Sequence, residues 1–526
     1  MNDSHVGESP QRGGETKGTG TSPGIDSVRE TSVGSEPVPF VSLPQREGPS
    51  ELKRRSWGPW VAIWGLMLVL AAATSAHSLQ RYWDFRSGWP WDLAYNNQWF
   101  WALVKGDQII TVKPINSWGD EGPWIWNRTH LDPIRLPCAP FYALWPRPES
   151  LIIIHNVLLW CLLPAAFGLA RSESGSTAVG WLAAGLVPLT PLLGPLLWND
   201  YREMELALPF VLWAIQGIRE RRVGLTTFGV IGLLCCREEF GLMVATFAIL
   251  PPREPEPVGQ SFRWSRALFA VGLGWFLFVF FSYEHIFING AAPENYLASF
   301  QGKKPGLIET ASNVLDMLAI GVGPWVLLAL LAPRTAVLVT PWVLGLCRGR
   351  WHLRFLATVN WHHVRYTTPI VALMVAAGVI GFAGLARWAA SRKHGRWILG
   401  TTWLTAAVGL VVASMACNGR LAHAPQPISR AEARKLWTWI DQVGPDDGVL
   451  ATYEMTPPLS SRKILYSNVM EQNKPRGYPD LGPEFQWAFL RADDRTAELL
   501  KKRQGFVVVY SGAAVRVLHR FPQPSN

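Results

Sequence analysis

Long apolar runs separated by short charged clusters fill the chain from residue 57 to residue 419. Runs near twenty residues with few charges are long enough to cross a bilayer as helices. The clearest are GPWVAIWGLMLVLAAATSA (58–76), ALFAVGLGWFLFVFFSY (267–283), TTPIVALMVAAGVIGFAGLA (367–386) and WILGTTWLTAAVGLVVASMA (397–416). Further runs at 151–170, 179–197, 204–218, 223–236, 240–250, 317–331 and 336–346 complete an alternating path. The path predicts about eleven spans, taking roughly twenty residues per crossing.

The flanking charges orient this path. Lys53, Arg54 and Arg55 abut the first run, and basic clusters stay on the cytoplasmic side. The alternation then places 219–222, 253–266 and 387–396 inside and makes 78–150 a large first outer loop. CRGRWHLR (347–354) falls outside, against the rule. Either a crossing is missing there, or its arginines have an anionic partner.

The two ends read differently. Residues 1–56 are rich in Gly, Ser, Pro and Glu, with too little apolar surface to fold alone. They are expected to be a disordered cytoplasmic segment, and not a signal peptide, because the first apolar run begins only near Trp57. Beyond residue 420 the chain turns polar. Residues 428–443 form an amphipathic helical pattern with Ser429 and Glu432 at capping-box spacing. GVLAT (448–452) and GFVVVYSGAAVRVLHR (505–520) read as strands. The fold class is therefore a multi-pass α-helical membrane protein. It comprises a polytopic domain at 57–419 and a small extracytoplasmic α/β domain at 420–526.

Composition narrows the function. The chain is 49% hydrophobic and 17% charged, with a net charge of +10. Its basic residues sit between spans and do not line one face, which argues against nucleic acid. The six cysteines (138, 161, 235, 236, 347, 417) include no CxxC, so neither a disulfide framework nor a zinc site is implied.

Ionisable groups within or beside a membrane are costly, so function is their default explanation. Five clusters qualify: WPWDLAYNNQWFW (Asp92, Asn96, Asn97), THLDP (His130, Asp132), WNDYREME (Asp200, Arg202, Glu203, Glu205), CCREEFG (Arg237, Glu238, Glu239) and NWHHVRY (His362, His363, Arg365). The path puts all of them on the outer side, where they can share one site. Plainer readings stand beside this one: Asp92 as an interfacial cap among tryptophans, Arg237–Glu238–Glu239 as a structural ion pair, and Asp200–Arg202 as a loop pair. His362 and His363 would point about 100° apart on a helix, which suits a metal poorly. Asn127-Arg128-Thr129 fits the glycosylation sequon. The segment from Asn127 to Glu149 carries five prolines and three arginines. Such a stiff approach can lie on the bilayer surface with His130 and its arginines toward a lipid phosphate.

Taken in order, DLAYNNQW, HLDPI…PFYALWPRP, NDYREMELALP, REEFGL, HHVRYTTP and GVLAT…PPLSSRKILY resemble a family of predicted bacterial membrane proteins, domain of unknown function 2079. The resemblance spans roughly residues 80–490. That family looks distantly related to the GT-C glycosyltransferases, which take sugars from polyprenyl-phosphate donors. Asp92 matches the family's first-loop Asp, where GT-C enzymes hold their catalytic carboxylate. His130 matches its His before the PI step, Asp200 its Asp-aromatic pair and Glu238 its Lys-Glu-Asp. The chain departs from the family at Asn97, where a second Asp is usual; Asn cannot act as a base.

The resemblance implies transfer of a sugar from a polyprenyl-phosphate donor to an acceptor on the outer face of the inner (plasma) membrane. Asp92 would be the general base. His130, Arg202, Arg237 and Arg365 would face the leaving phosphate, with Asp200, Glu238 and His362 completing the substrate site. A divalent metal, Mg or Mn, would be held by Asp92, Asp200 or Glu238. Two other classes remain. A transporter or flippase of lipid-linked substrates predicts inverted repeats, which the sequence does not display. A non-catalytic structural or sensory membrane protein is favoured by Asn97.

Overall fold

The computed structural model describes residues 57–88, 90–107, 111–114, 131–198, 200–253, 258–283, 306–348, 365–421, 428–468 and 481–521. The segment 1–56, the sequon at 127–129, His130, His362, His363 and residues 349–354 lie outside them. Arg365 opens a short 3-10 turn, Arg365–Thr367, but its side chain also lies outside the description.

The apolar runs fold as helices. Among the described residues, five are long and apolar enough to cross a membrane: Gly58–Trp83, Pro148–Ser174, Arg263–Ser282, Thr368–Ala390 and Gly395–Cys417. The other expected spans form shorter pieces, and local sequence explains why. Pro188 and Pro191 lack an N–H and interrupt the helical run. They divide the run 179–197 into a helix (Thr177–Leu186), a 3-10 turn and another helix (Leu193–Leu197). Val223–Cys236 has 14 residues. At 1.5 Å per residue it measures about 21 Å, less than the hydrocarbon thickness.

The first helices are α1 (Gly58–Trp83), α2 (Pro90–Lys105), α3 (Arg135–Leu144), α4 (Pro148–Trp160) and α5 (Leu162–Ser174). α1 and α4 both begin with proline in the first turn, where the missing N–H costs nothing. α5 ends at Gly175, whose φ of 74° is a left-handed cap open to glycine. α4–α5 and Thr368–Ala390 form the buried centre of the bundle. α1 and Gly395–Leu421 surround it and turn apolar side chains outward, among them Val61 at 69%, Val69 at 64% and Met415 at 71% exposure. An apolar belt of this extent fits a lipid surface and not water.

Lipid tails give helices no hydrophobic reason to associate, so close backbone approach has to supply the contact. Ala207–Glu220 and Val223–Cys236 form a helical hairpin, joined through Arg221 in the left-handed region (φ 58°). Their seam is built on glycine: a Cβ at Gly217 would collide with Thr226, and one at Gly229 with Ala214.

The polar C-terminal segment is a six-stranded sheet with helices. Its strands are β1 (Lys113–Pro114), β2 (Gly448–Thr452), β3 (Leu465–Asn468), β4 (Phe485–Arg491), β5 (Val507–Ser511) and β6 (Val515–His519). The order is β1-β3-β2-β4-β6-β5. The first four in this order run parallel, and β6 is antiparallel to both β4 and β5. β1 comes from the first loop, with Lys113 opposite Tyr466 and Pro114 opposite Ser467. The sheet therefore reaches beyond residues 420–526. In the helix Arg430–Ile440, Ser429 Oγ accepts the Glu432 N–H at 3.2 Å. The Glu432 carboxylate does not close the box. It accepts from the N–H groups of Ala514 (2.9 Å) and Val515 (3.1 Å), fastening the helix to the β5–β6 turn.

Candidate functional site

Residues 200–205 are the hub of the polar cluster. Asp200 has φ 65°, a left-handed conformation that Asp tolerates better than most residues. It is fully buried, accepts the Gly88 N–H at 3.0 Å and faces Arg81 at 3.9 Å. Arg81 also donates to Trp198 O at 3.0 Å and lies over the Trp198 ring at 4.7 Å. Burial raises the Asp200 carboxyl above its ordinary value, opposed by Arg81, the Gly88 N–H and the Ser87 hydroxyl.

Arg202 pairs with Asp92, which stands in the first turn of α2 where the helix dipole favours a carboxylate. Behind Arg202 is His155, a fully buried side chain of α4. Its Nδ1 accepts the Arg202 backbone N–H at 3.5 Å, and its Nε2 lies 3.2 Å from Leu196 O and 3.3 Å from Glu205 Oε2. A neutral ring protonated on Nε2 satisfies all of these contacts.

Glu203 pairs with Arg135, which is 1% exposed, also binds Asp132 at 2.9 Å and lies over Trp99 at 5.3 Å. The same segment is tied to the next cluster. Ile134 N–H donates to Cys235 O at 2.8 Å, and Leu131 N–H donates to Glu238 Oε2 at 3.3 Å. Arg237 contacts Glu239 at 2.9 Å and Met204 Sδ at 3.8 Å.

The clusters around Asp92, Asp132, Asp200 and Glu238 are thus joined through 200–205. The fifth, with His362 and His363, lies outside the described residues, as does His130 beside Leu131. Among these carboxylates Asp92 is the most exposed. Its side chain is 22% exposed, against 16% for Glu203, 14% for Glu239 and 9% for Asp132, while Asp200 and Glu205 are at 0%. Among the described residues no three His, Cys, Asp or Glu side chains gather to hold a metal. Asp92, Asp200 and Glu238, the carboxylates expected to do so, contact Arg202, Arg81 and the Leu131 N–H instead.

Asn97 has a different role from its neighbours. It is fully buried, and its Nδ2 donates to Ser460 Oγ (2.8 Å) and Ser461 Oγ (3.0 Å) while its Oδ1 accepts from Tyr142 OH (2.8 Å). Arg81, His155 and Gln98 were not among the expected site residues; His155 is an isolated ionisable group in an apolar stretch, the same mark that selected the others. Arg135, expected to face a lipid phosphate at the surface, is 1% exposed and paired with Asp132 and Glu203 instead.

Helical bundle, lipid-facing belt and buried polar hub are those of a polytopic membrane protein. The chain belongs to the family described as predicted membrane protein (DUF2079), whose profile matches residues 81–505. Its fold is similar to ArnT from Cupriavidus metallidurans, solved bound to undecaprenyl phosphate. The TM-score is 0.50 at 13% identity, covering 89% of this chain and 100% of that one. The oligosaccharyltransferase of Archaeoglobus fulgidus in its apo form gives a TM-score of 0.48 at 9% identity, covering 83% of this chain and 70% of that one. No curated protein matches the chain.

Proposed function

We propose that the protein is a GT-C-like membrane glycosyltransferase, moving a sugar from a polyprenyl-phosphate donor to an acceptor hydroxyl on the outer side of the inner membrane. In this reading the N-terminus is cytoplasmic and the sheet domain extracytoplasmic. The observation that carries it is Asp92: the most accessible carboxylate of the hub, at a helix N-terminus, paired with an arginine. The ArnT-like fold supports the donor class, since that protein was solved with undecaprenyl phosphate.

The acceptor oxygen forms a bond to the anomeric carbon as the bond from that carbon to the phosphate oxygen breaks. Asp92 takes the acceptor's proton. Polyprenyl phosphate leaves with the electron pair, and Arg202 and Arg237 supply positive charge for it. Arg202 also holds the Asp92 carboxylate in place through their ion pair. Asn97 does not weigh against catalysis, because its amide nitrogen serves the contact with the C-terminal domain while its oxygen accepts from Tyr142 of α3.

Consumption of a radiolabelled polyprenyl-phosphate sugar by membranes tests the proposal. Asp92→Asn keeps the shape and removes the basicity, so turnover should fall on the order of a hundred- to ten-thousand-fold at equal protein abundance. Full turnover by this variant would remove Asp92 from the reaction.

A further inference from the structure

We infer that the C-terminal domain positions the reacting carboxylate: its loop 457–463 holds α2 through Asn97 and Gln98, and so sets the place of Asp92. The functional half of this inference rests on the proposed transfer reaction; the structural half does not.

Hydrogen-bond direction is fixed at Asn97. Ser460 Oγ–H donates to Pro457 O at 2.6 Å and Ser461 Oγ–H to Pro146 O at 3.3 Å. Each serine hydroxyl has one proton, so both oxygens can only accept from Asn97 Nδ2. Tyr142 OH, donating to Oδ1, fixes the other end of the amide. A carboxylate here would set an oxygen against two committed lone pairs. The chain therefore requires Asn where the resembling family usually carries Asp.

Gln98 repeats the attachment one residue on. It is fully buried; its Nε2 donates to Arg462 O (2.9 Å) and Thr111 Oγ1 (2.9 Å), and its Oε1 accepts from Thr111 N (3.0 Å) and Val112 N (2.6 Å). Thr111 Oγ1 in turn donates to Lys463 O at 2.7 Å. These bonds seat the stretch that continues into β1.

The segment before α2 is held from the same domain. Arg430 binds Asp84 at 3.1 Å, Trp437 Nε1 donates to Trp83 O at 2.9 Å, and the Trp437 ring stacks on Phe85 at 5.5 Å. Asp92 lies between these two attachments. Asn97 is five positions further on, about 7.5 Å along the helix. Asn97, Gln98 and Ser460 are positioning residues: they act on the site through α2.

The test has two arms. In the first, Asp92→Cys is labelled with a maleimide in the full chain, against a background chain lacking that substitution. Burial pushes the Cys138 thiol nearby up to about 12, so it stays unreactive. Adding Asn97→Asp or, as a milder change, Ser461→Ala should alter the labelling rate severalfold. An unchanged rate in both would overturn the inference. In the second arm, Asn97→Asp should lower kcat on the order of a hundredfold, the effect of a small misplacement, with KM little changed. In an Asp92→Asn background the same substitution should cost nothing further, because the two act as one unit. Additive losses would overturn positioning through Asp92. Altered labelling together with no transfer by the unmodified chain would sink the transferase proposal and leave the attachment standing.

Discussion

Arg202 joins Asp92 to His155: its guanidinium pairs with the carboxylate of α2 while its backbone N–H rests on the buried imidazole of α4. The pair fixes the carboxylate in the site. Arg202→Gln should therefore lower donor turnover at equal protein abundance, and Arg202→Lys, which keeps the charge, should lower it less. Donor consumption by membranes reads both, and full turnover in Arg202→Gln would show that the pair is not part of the reaction.

Arg135 is buried between Asp132 and Glu203. Arg135→Met leaves two carboxylates without their cation in a buried setting. The expected loss is about 3–5 kcal/mol of stability, as for other broken buried pairs. Thermal unfolding in detergent should show a clearly lowered midpoint. Arg135→Met combined with Glu203→Gln should be less damaging than Arg135→Met alone.

Two glycines of the central helix Thr368–Ala390 should behave oppositely. A Cβ at Gly381 would collide with the backbone oxygen of Leu328, which cannot turn aside, whereas one at Gly384 meets nothing within 4 Å. Gly381→Ala should cost about 1–3 kcal/mol by overpacking. Gly384→Ala should be neutral or add about 0.5–1 kcal/mol by helix propensity. Equal unfolding midpoints for the two would contradict the packing described.

The sheet should weaken in acid. His519 lies 4.2 Å from the Trp487 ring and 4.5 Å from Phe521. Burial lowers its pKa from 6.5, opposed by Asp447. A lowered histidine pKa gives stability that is complete above the unfolded value and is lost as pH falls through the folded one. Proteolytic resistance of residues 428–521 should thus decline below about pH 6.5. His519→Gln should flatten part of that decline.

Much of the local structure was legible in the sequence. The helix Val223–Cys236 and the strand Gly448–Thr452 match their expected limits to the residue, since each is an apolar run with polar or glycine boundaries. Ser429 was recognisable as a cap, but the partner of Glu432 was not. Its carboxylate answers to two N–H groups brought near only by the folded sheet. The proline-broken run 179–197 was read as one span because hydropathy ignores the missing N–H. Four of the five polar clusters lie among the described residues and adjoin one another, and they were conspicuous because charge stands out among apolar residues. His155 carries the same mark and was passed over because it stands alone in its stretch, whereas Arg135 was read as a surface arginine because its partner Glu203 is distant in sequence. Asn97 could not be read, since its partners Ser460 and Ser461 lie in a loop with no periodic pattern and its neutral amide looks like a lost carboxylate.

The pairing of β1 with β3 constrains the path through the membrane. Two hydrogen-bonded strands occupy one compartment, so the chain between Pro114 and Leu465 must cross the bilayer an even number of times. Four of the long apolar helices lie in that interval: Pro148–Ser174, Arg263–Ser282, Thr368–Ala390 and Gly395–Cys417. That is already an even number if each crosses once, and the shorter helices can then add crossings only in pairs. If α1 also crosses once, the total is odd, whether small or large, and residue 57 and the sheet face opposite sides, a parity that would follow from two residues of backbone pairing.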